Sequence, residues 1–197
     1  MKKGIPFLLS VILMITTASC GTINQKIDKN FKDMKSYVAT VKITVNGNKS
    51  TTEYRAKQFW ESPDKYRVEI IEPERMSGTV TVYTDNEIFM QSKDTPKQKI
   101  ERGINVPDKD FMFISDFVNE YYLLDQMPEF QTGDEVILTS ETFENNKNRF
   151  IQNLIINPEN GQPLKLITYN DKGDEVISVK YEEFISNCEI DESLFIE

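Results

Sequence analysis

The sequence predicts an α+β domain: a curved, mostly antiparallel sheet forming a half-open barrel, covered on its apolar face by an N-terminal helix and a mid-chain helix. Three observations predict it. Short runs of period-two alternation recur along most of the chain, separated by Asn, Asp, Gly and Pro turns. Two segments break that pattern and space their apolar residues helically. The 197 residues, 39% hydrophobic and without internal repeat, suit one domain around one core.

The elements follow in chain order. Ile23, Ile27, Phe31, Met34 and Val38 recur at intervals of three and four, one apolar face of a helix. Val41-Lys42-Ile43-Thr44-Val45 then alternates up to an Asn46-Gly47-Asn48 turn, and Thr52 to Lys57 continues the period of two towards Trp60. Ser62-Pro63-Asp64 closes that hairpin, and Tyr66, Val68 and Ile70 form the next apolar side with Arg67 and Glu69 opposite. Strands fit Thr79 to Thr84 and Ile88 to Gln91, hinged at Asp85-Asn86, and a looser stretch between Pro96 and Pro107 carries one more around Lys99 to Glu101. From Asp110 to Gln126 the residues Phe111, Ile114, Phe117, Val118, Tyr121 and Leu124 lie at helical spacing, and Pro128 stops the run. Alternation returns at Val136/Leu138, Phe150/Leu154/Ile156, Leu164/Leu166 and from Val176 onwards. The turns Asn157-Pro158-Glu159-Asn160-Gly161 and Asn170-Asp171-Lys172-Gly173 separate the last of these. The count is about ten strands.

Residues 1–19 read as a secretory leader. Lys2 and Lys3 precede an apolar run from Ile5 to Ile15, which at about 11 residues is short of the roughly 20 that span a membrane. Small residues follow, Thr16 to Ser19, directly before Cys20. That ending resembles a bacterial lipobox, with Thr17 where Leu is usual, and the resemblance implies a diacylglycerol thioether on Cys20 and cleavage before it. Acyl chains at roughly 0.8 kcal/mol per buried methylene would hold the chain on a membrane. The folded part is then a single domain over residues 20–197, beginning close to the bilayer. With Cys20 acylated, Cys188 has no disulfide partner; a lone cysteine in FISNCEI is more often a small buried hydrophobe than a reactive thiol. The net charge of −9 becomes two units more negative once Lys2 and Lys3 leave with the leader. Such a surface repels phosphate backbones, so nucleic acid is not an expected partner, and membrane attachment is expected through the lipid anchor.

Composition removes most catalytic chemistry. Without histidine there is no Ser-His-Asp triad, Cys-His dyad or HExxH zinc site, and the eight glycines never write GxG. Glu182-Glu183 and Asp134-Glu135 are neighbours on strands, where alternation would point them to opposite faces. Asp171, Asp174 and Glu175 surround a turn without the spacing of a calcium loop. No catalytic residue, cofactor or metal is expected; the chain reads as a binding protein and not as an enzyme. Phe111, Phe113, Phe117, Tyr121 and Tyr122 crowd the second helix with Met112 between. They suit core packing against the sheet, the lining of a hollow for an acyl chain, or, at Phe113 or Tyr122, exposure to a partner. Val38 to Val45 and Val176 to Phe184 are candidate sheet edges for a partner strand, and an edge pairing with its own copy would give a homodimer by strand exchange.

The whole pattern resembles the lipoprotein-carrier fold of the LolA and LolB family from Ile23 to Phe195. The pieces that carry the resemblance are Trp60-Glu61-Ser62-Pro63-Asp64-Lys65-Tyr66-Arg67-Val68-Glu69, Ile155-Ile156-Asn157-Pro158-Glu159-Asn160-Gly161-Gln162-Pro163, and the tail from Phe184-Ile185-Ser186-Asn187 to Phe195. Within it, the lipobox, the size, and a composition rich in Lys, Ile and Asn are similar to clostridial spore germination lipoproteins of the GerS type. That resemblance implies a non-catalytic partner of an exported N-acetylmuramoyl-L-alanine amidase in cortex modification. It also implies a place on the extracytoplasmic face of a membrane, in a sporulating cell the space between the forespore membranes. The alternative is a carrier or sensor for lipid acyl chains.

Overall fold

Alternation builds the sheet strand by strand. In β1 (Ser36–Asn46) the residues Tyr37, Ala39, Val41 and Ile43 are buried on one side, while Lys42 on the other is exposed. The same division runs through β2 (Thr51–Glu61), where Ala56, Gln58 and Trp60 are buried, and β3 (Lys65–Glu72), where Tyr66 and Val68 are. β4 (Val80–Tyr83), β5 (Ile88–Ser92) and β6 (Thr95–Ile100) complete a meander of six strands. A second meander contains β7 (Val136–Phe143), β8 (Arg149–Ile156), β9 (Pro163–Tyr169) and β10 (Glu175–Ser186). This computed structural model describes residues 27, 29–47, 49–84, 87–100, 111–123, 135–143 and 149–196. The leader, Cys20 and the Asp85-Asn86 hinge lie outside them.

The two meanders join along β1 and β10, giving one ten-stranded antiparallel sheet in the order β6-β5-β4-β3-β2-β1-β10-β9-β8-β7. Helix α1 includes Ile27 and residues 29–32, and α2 is Ile114–Leu123. Ile27, Phe31 and Met34 enter the core, as their spacing predicts. Val38 departs from the expected helical face. It sits half-buried in β1, because the β-branched alternation beginning at Ser36 takes over once α1 ends.

The wrap of the sheet follows from its helix. Tyr66 on β3 donates to Asp116 on α2 at 2.6 Å, and α2 also packs on β7 and β8. In a flat sheet β3 and β7, six strand spacings apart, would be separated by about 29 Å, more than twice a helix diameter of about 10–12 Å. Only a sheet curled around α2 brings both to it. Bulges at Thr40/Val41, Arg55/Ala56 and Ile155/Ile156 supply local bending. The edges stay apart, so the barrel is open.

The pairing order corrects the expected edges. Val38 to Val45 and Val176 to Phe184 lie on β1 and β10, which pair with each other at the centre of the sheet. Strand exchange at those segments loses its basis, since both of their hydrogen-bonding sides are taken. Among the described residues the edges are β6 and β7. β6 runs longer than expected, from Thr95, with Pro96 inside it; an edge strand tolerates a proline whose missing N–H would face outwards.

Candidate functional site

The concave side of the sheet is where this architecture would hold a ligand, and α2 occupies it. Phe113, Ile114 and Phe117 have no exposed surface, and Val118 and Tyr121 are buried with them. Phe113 meets Tyr66 edge-on at 4.9 Å between centroids and Tyr83 at 6.3 Å; Phe117 stacks on Tyr121 at 5.7 Å. Core packing is therefore what the aromatic run does. Phe113, one of two residues considered for partner exposure, lies wholly inside because it precedes the first turn and is carried under it. Tyr122 is half-buried, with the Lys32 ammonium 4.7 Å from its ring centre.

A polar plug fixes the start of α2 in the hollow. Gln58 Nε2 donates to the Met112 carbonyl at 3.0 Å, and Tyr37 Oη donates to Gln58 Oε1 at 3.4 Å. The phenol oxygens of Tyr37 and Tyr181 both face the Ile114 backbone N–H, one of the donors a helix leaves open at its N-terminus. Asp116, in the first turn, accepts from Tyr66. Burial is the main cause pushing the Tyr37, Tyr66 and Tyr181 phenols well above their ordinary pKa, and the Asp116 carboxylate adds to it in all three. These hydroxyls stay neutral, and those of Tyr37 and Tyr66 donate to Gln58 and Asp116. A second polar row crosses β7, β8 and β9 on the same face, where Gln152 Nε2 donates to Thr168 Oγ1 at 3.1 Å beside buried Ser140. Sequence reading missed both groups: the first joins α2 to strands distant in the chain, and the second depends on the register of three consecutive strands.

Among the described residues, spaces open on two sides of α2. An apolar cleft of about 170 Å³ opens between β1–β5 and Met112, lined by Ile43, Val68, Ile70, Met76 and Met90. It falls below the roughly 300 Å³ at which small-molecule sites begin. A larger groove of about 460 Å³ runs between the two helices over Trp60. Its rim carries Lys32, Lys35, Asn119 and Leu123, and Leu123 is 82% exposed.

The acidic pairs lie elsewhere. Glu182 and Glu183 both face the convex side, contrary to the alternation expected, because the bulge opposite Thr40/Val41 inserts Glu182 as an extra residue. Glu182 Oε2 accepts from Arg55 Nε at 2.8 Å and Glu183 Oε2 from Thr40 Oγ1 at 3.1 Å. Around the last hairpin turn, Asp174 accepts from Asn170 Nδ2 at 3.1 Å, and Glu175 pairs with Lys165 at 3.5 Å. Glu135 is exposed before β7, and Asp134 lies outside the described residues. Cys188 is half-buried, its Sγ 3.5 Å from the Ile185 carbonyl.

An open antiparallel half-barrel with its own helix in the hollow defines the class: a LolA-like fold whose concave face is largely self-filled. The chain belongs to the sporulation protein YdcC-like family, whose family model matches residues 1–195. It is 20% identical over 215 residues to sporulation protein YdcC of Bacillus subtilis (strain 168), covering all of this chain and 60% of that protein. Looser likenesses extend to solved structures. The structure of the CwlD amidase from Clostridioides difficile in complex with the GerS lipoprotein matches at 22% identity and a TM-score of 0.47, over 84% of this chain and 94% of that one. A LolA superfamily protein from Nitrosomonas europaea matches at 12% identity and a TM-score of 0.44, over 90% and 97%.

Proposed function

We propose that this protein is a membrane-anchored, non-catalytic sporulation lipoprotein of the GerS type that binds and activates an exported N-acetylmuramoyl-L-alanine amidase. The observation that carries the binding role is the filled hollow: Phe113, Phe117 and Tyr121 occupy the space a carrier would keep for acyl chains. Membership of a sporulation family supports the setting. The partner class comes from the sequence resemblance to GerS-type lipoproteins, and the anchor from Cys20 at the end of the lipobox-like run. Activation would work by tighter binding to the competent conformation of the amidase, whose population then rises. Of the two edges, β6 is guarded by Pro96, Lys97 and Lys99, whereas β7 reads Val-Ile-Leu-Thr-Ser-Glu-Thr-Phe; β7 is the edge that suits an added strand.

The test mixes residues 21–197 with the purified cortex amidase and follows both complex size and release of stem peptides from peptidoglycan. A stoichiometric complex with faster release is expected. Release by the protein alone, or co-purifying lipid with no hydrolase bound, would overturn the reading in favour of an enzyme or a carrier. Palmitate labelling that disappears with Cys20→Ala is expected for the anchor.

A further inference from the structure

We infer that the cleft between β1–β5 and Met112 is a soft-metal site, in which the thioethers of Met76, Met90 and Met112 hold a Cu(I) ion. The inference does not depend on the amidase reading.

Clustering is the first ground. Three of the four methionines among the described residues line this one cleft; the fourth, Met34, is a core residue elsewhere. They come from three separate elements. Met76 ends the 3-10 turn Glu74–Met76 after β3, Met90 lies in β5, and Met112 stands just before α2. Each backbone is fixed in place. The Met76 N–H donates to the Pro73 carbonyl at 2.8 Å, and the Met76 carbonyl accepts from the Thr79 N–H at 3.0 Å. Met90 sits opposite Thr81 in the β4–β5 ladder, and the Met112 carbonyl accepts from Gln58 Nε2 at 3.0 Å. Their depths are graded: Met112 is buried, Met76 half-buried and Met90 37% exposed. An ion therefore has a thioether within reach of solvent to meet it first.

Donor chemistry is the second ground. Among the described residues no charged side chain lines the cleft; apart from the methionines and the hydroxyls of Tyr54, Tyr83, Thr79 and Thr81, its walls are aliphatic. Thioethers select Cu(I), whereas carboxylates and water suit hard divalent ions. A neutral donor set in apolar walls would also leave a double charge uncompensated, which favours a monovalent ion. The net charge of −9 attracts cations to the chain as a whole. The third ground is size. About 170 Å³ is too small for most organic ligands but ample for one ion. A sphere of that volume is about 7 Å across, and each methionine swings its sulfur on three rotatable bonds, so three can converge on a common centre.

The test uses residues 21–197, which contain every described element, with Cys188→Ser so that no thiol competes. The protein is titrated anaerobically with Cu(I), kept reduced by ascorbate, against the chelator bicinchoninate. One ion per chain should be retained. Met76→Leu, Met90→Leu and Met112→Leu conserve volume and should change the urea midpoint little. Each should nonetheless weaken retention by about tenfold or more, and the triple variant should abolish it. Met34→Leu should leave retention unchanged. Added Ag(I), a diamagnetic soft analogue, should shift the ε-methyl resonances of Met76, Met90 and Met112 and leave that of Met34 in place. Equal retention by the parent and the triple variant would overturn the inference, because the ion would then sit elsewhere. Zn(II) held as firmly as Cu(I) would do the same, since it calls for other donors. Resonance shifts without retention against the chelator would mean adventitious metal only. Uptake of an apolar dye by a cleft that keeps no Cu(I) would make the methionines gap fillers around an apolar site. Failure of the amidase complex to form would sink the function proposed above and leave this measurement standing.

Discussion

At the scale of single residues, stability turns on buried hydroxyls. Tyr66→Phe deletes the 2.6 Å hydrogen bond to Asp116 and should cost about 2 kcal/mol, the worth of a bond to a charged acceptor, read as a shift of the urea midpoint. Burial holds the Tyr37, Tyr66 and Tyr181 phenols above their ordinary range, so their uncharged forms are favoured in the folded state. Their contribution is therefore complete below about pH 10 and drains away as the pH climbs further. Phenolate absorbance followed with unfolding should show these three rings titrating only as the fold opens. Gly161 adds a steric case: its φ is +72°, and a Cβ there would stand 3.3 Å from Asn30 Nδ2 and 3.6 Å from Ile27 Cγ1. Gly161→Ala should strain the turn and loosen α1 together, by about 1 kcal/mol or more on denaturation. The inward direction of these tyrosines was legible in the alternation around them. Their partners were not, because Tyr66 meets an acid 50 residues away and no local pattern encodes that meeting.

At the scale of elements, α2 is an internal plug, and its removal should change what the sheet can hold. Phe117→Ala should destabilise by about 3–5 kcal/mol and open space continuous with the concave face. Binding of a fluorescent fatty acid, weak in the parent, should rise in that variant; no rise would mean that the surrounding side chains close over the gap. Strand and helix identities were readable because period two and period 3.6 are local properties. Lateral order was not: β1 and β10 look like edges when each is read against its sequence neighbours alone. They are central because the first strand meets the last, a pairing decided by the shared core of Val41, Tyr181, Ile43 and Val179. Amide hydrogen exchange should reflect this, slowest in β1 and β10 and fastest in β6 and β7. The Glu182-Glu183 pair teaches the same lesson on a smaller span, since one bulge reverses the face that strict alternation assigns.

At the scale of the molecule, an acidic chain folds so that its larger described groove lies between the two helices. The tail binds back as well: Asn187, in a left-handed conformation at φ +54°, accepts from the Lys35 N–H at 2.8 Å, and Arg67 Nη1 donates to the Leu194 carbonyl at 3.1 Å. Deleting residues 187–197 should expose Ser36 and Arg67 and lower the urea midpoint without dissolving the sheet. The turn signals were legible from residue type alone; the groove was not, because helices separated by some 80 residues form it. The seam between β1 and β10 also governs timing. A chain delivered from its N-terminus presents β1 first and β10 almost last, so the middle of the sheet is zipped only when nearly all of the chain is available. The last long strand is in that sense the latch of the whole sheet.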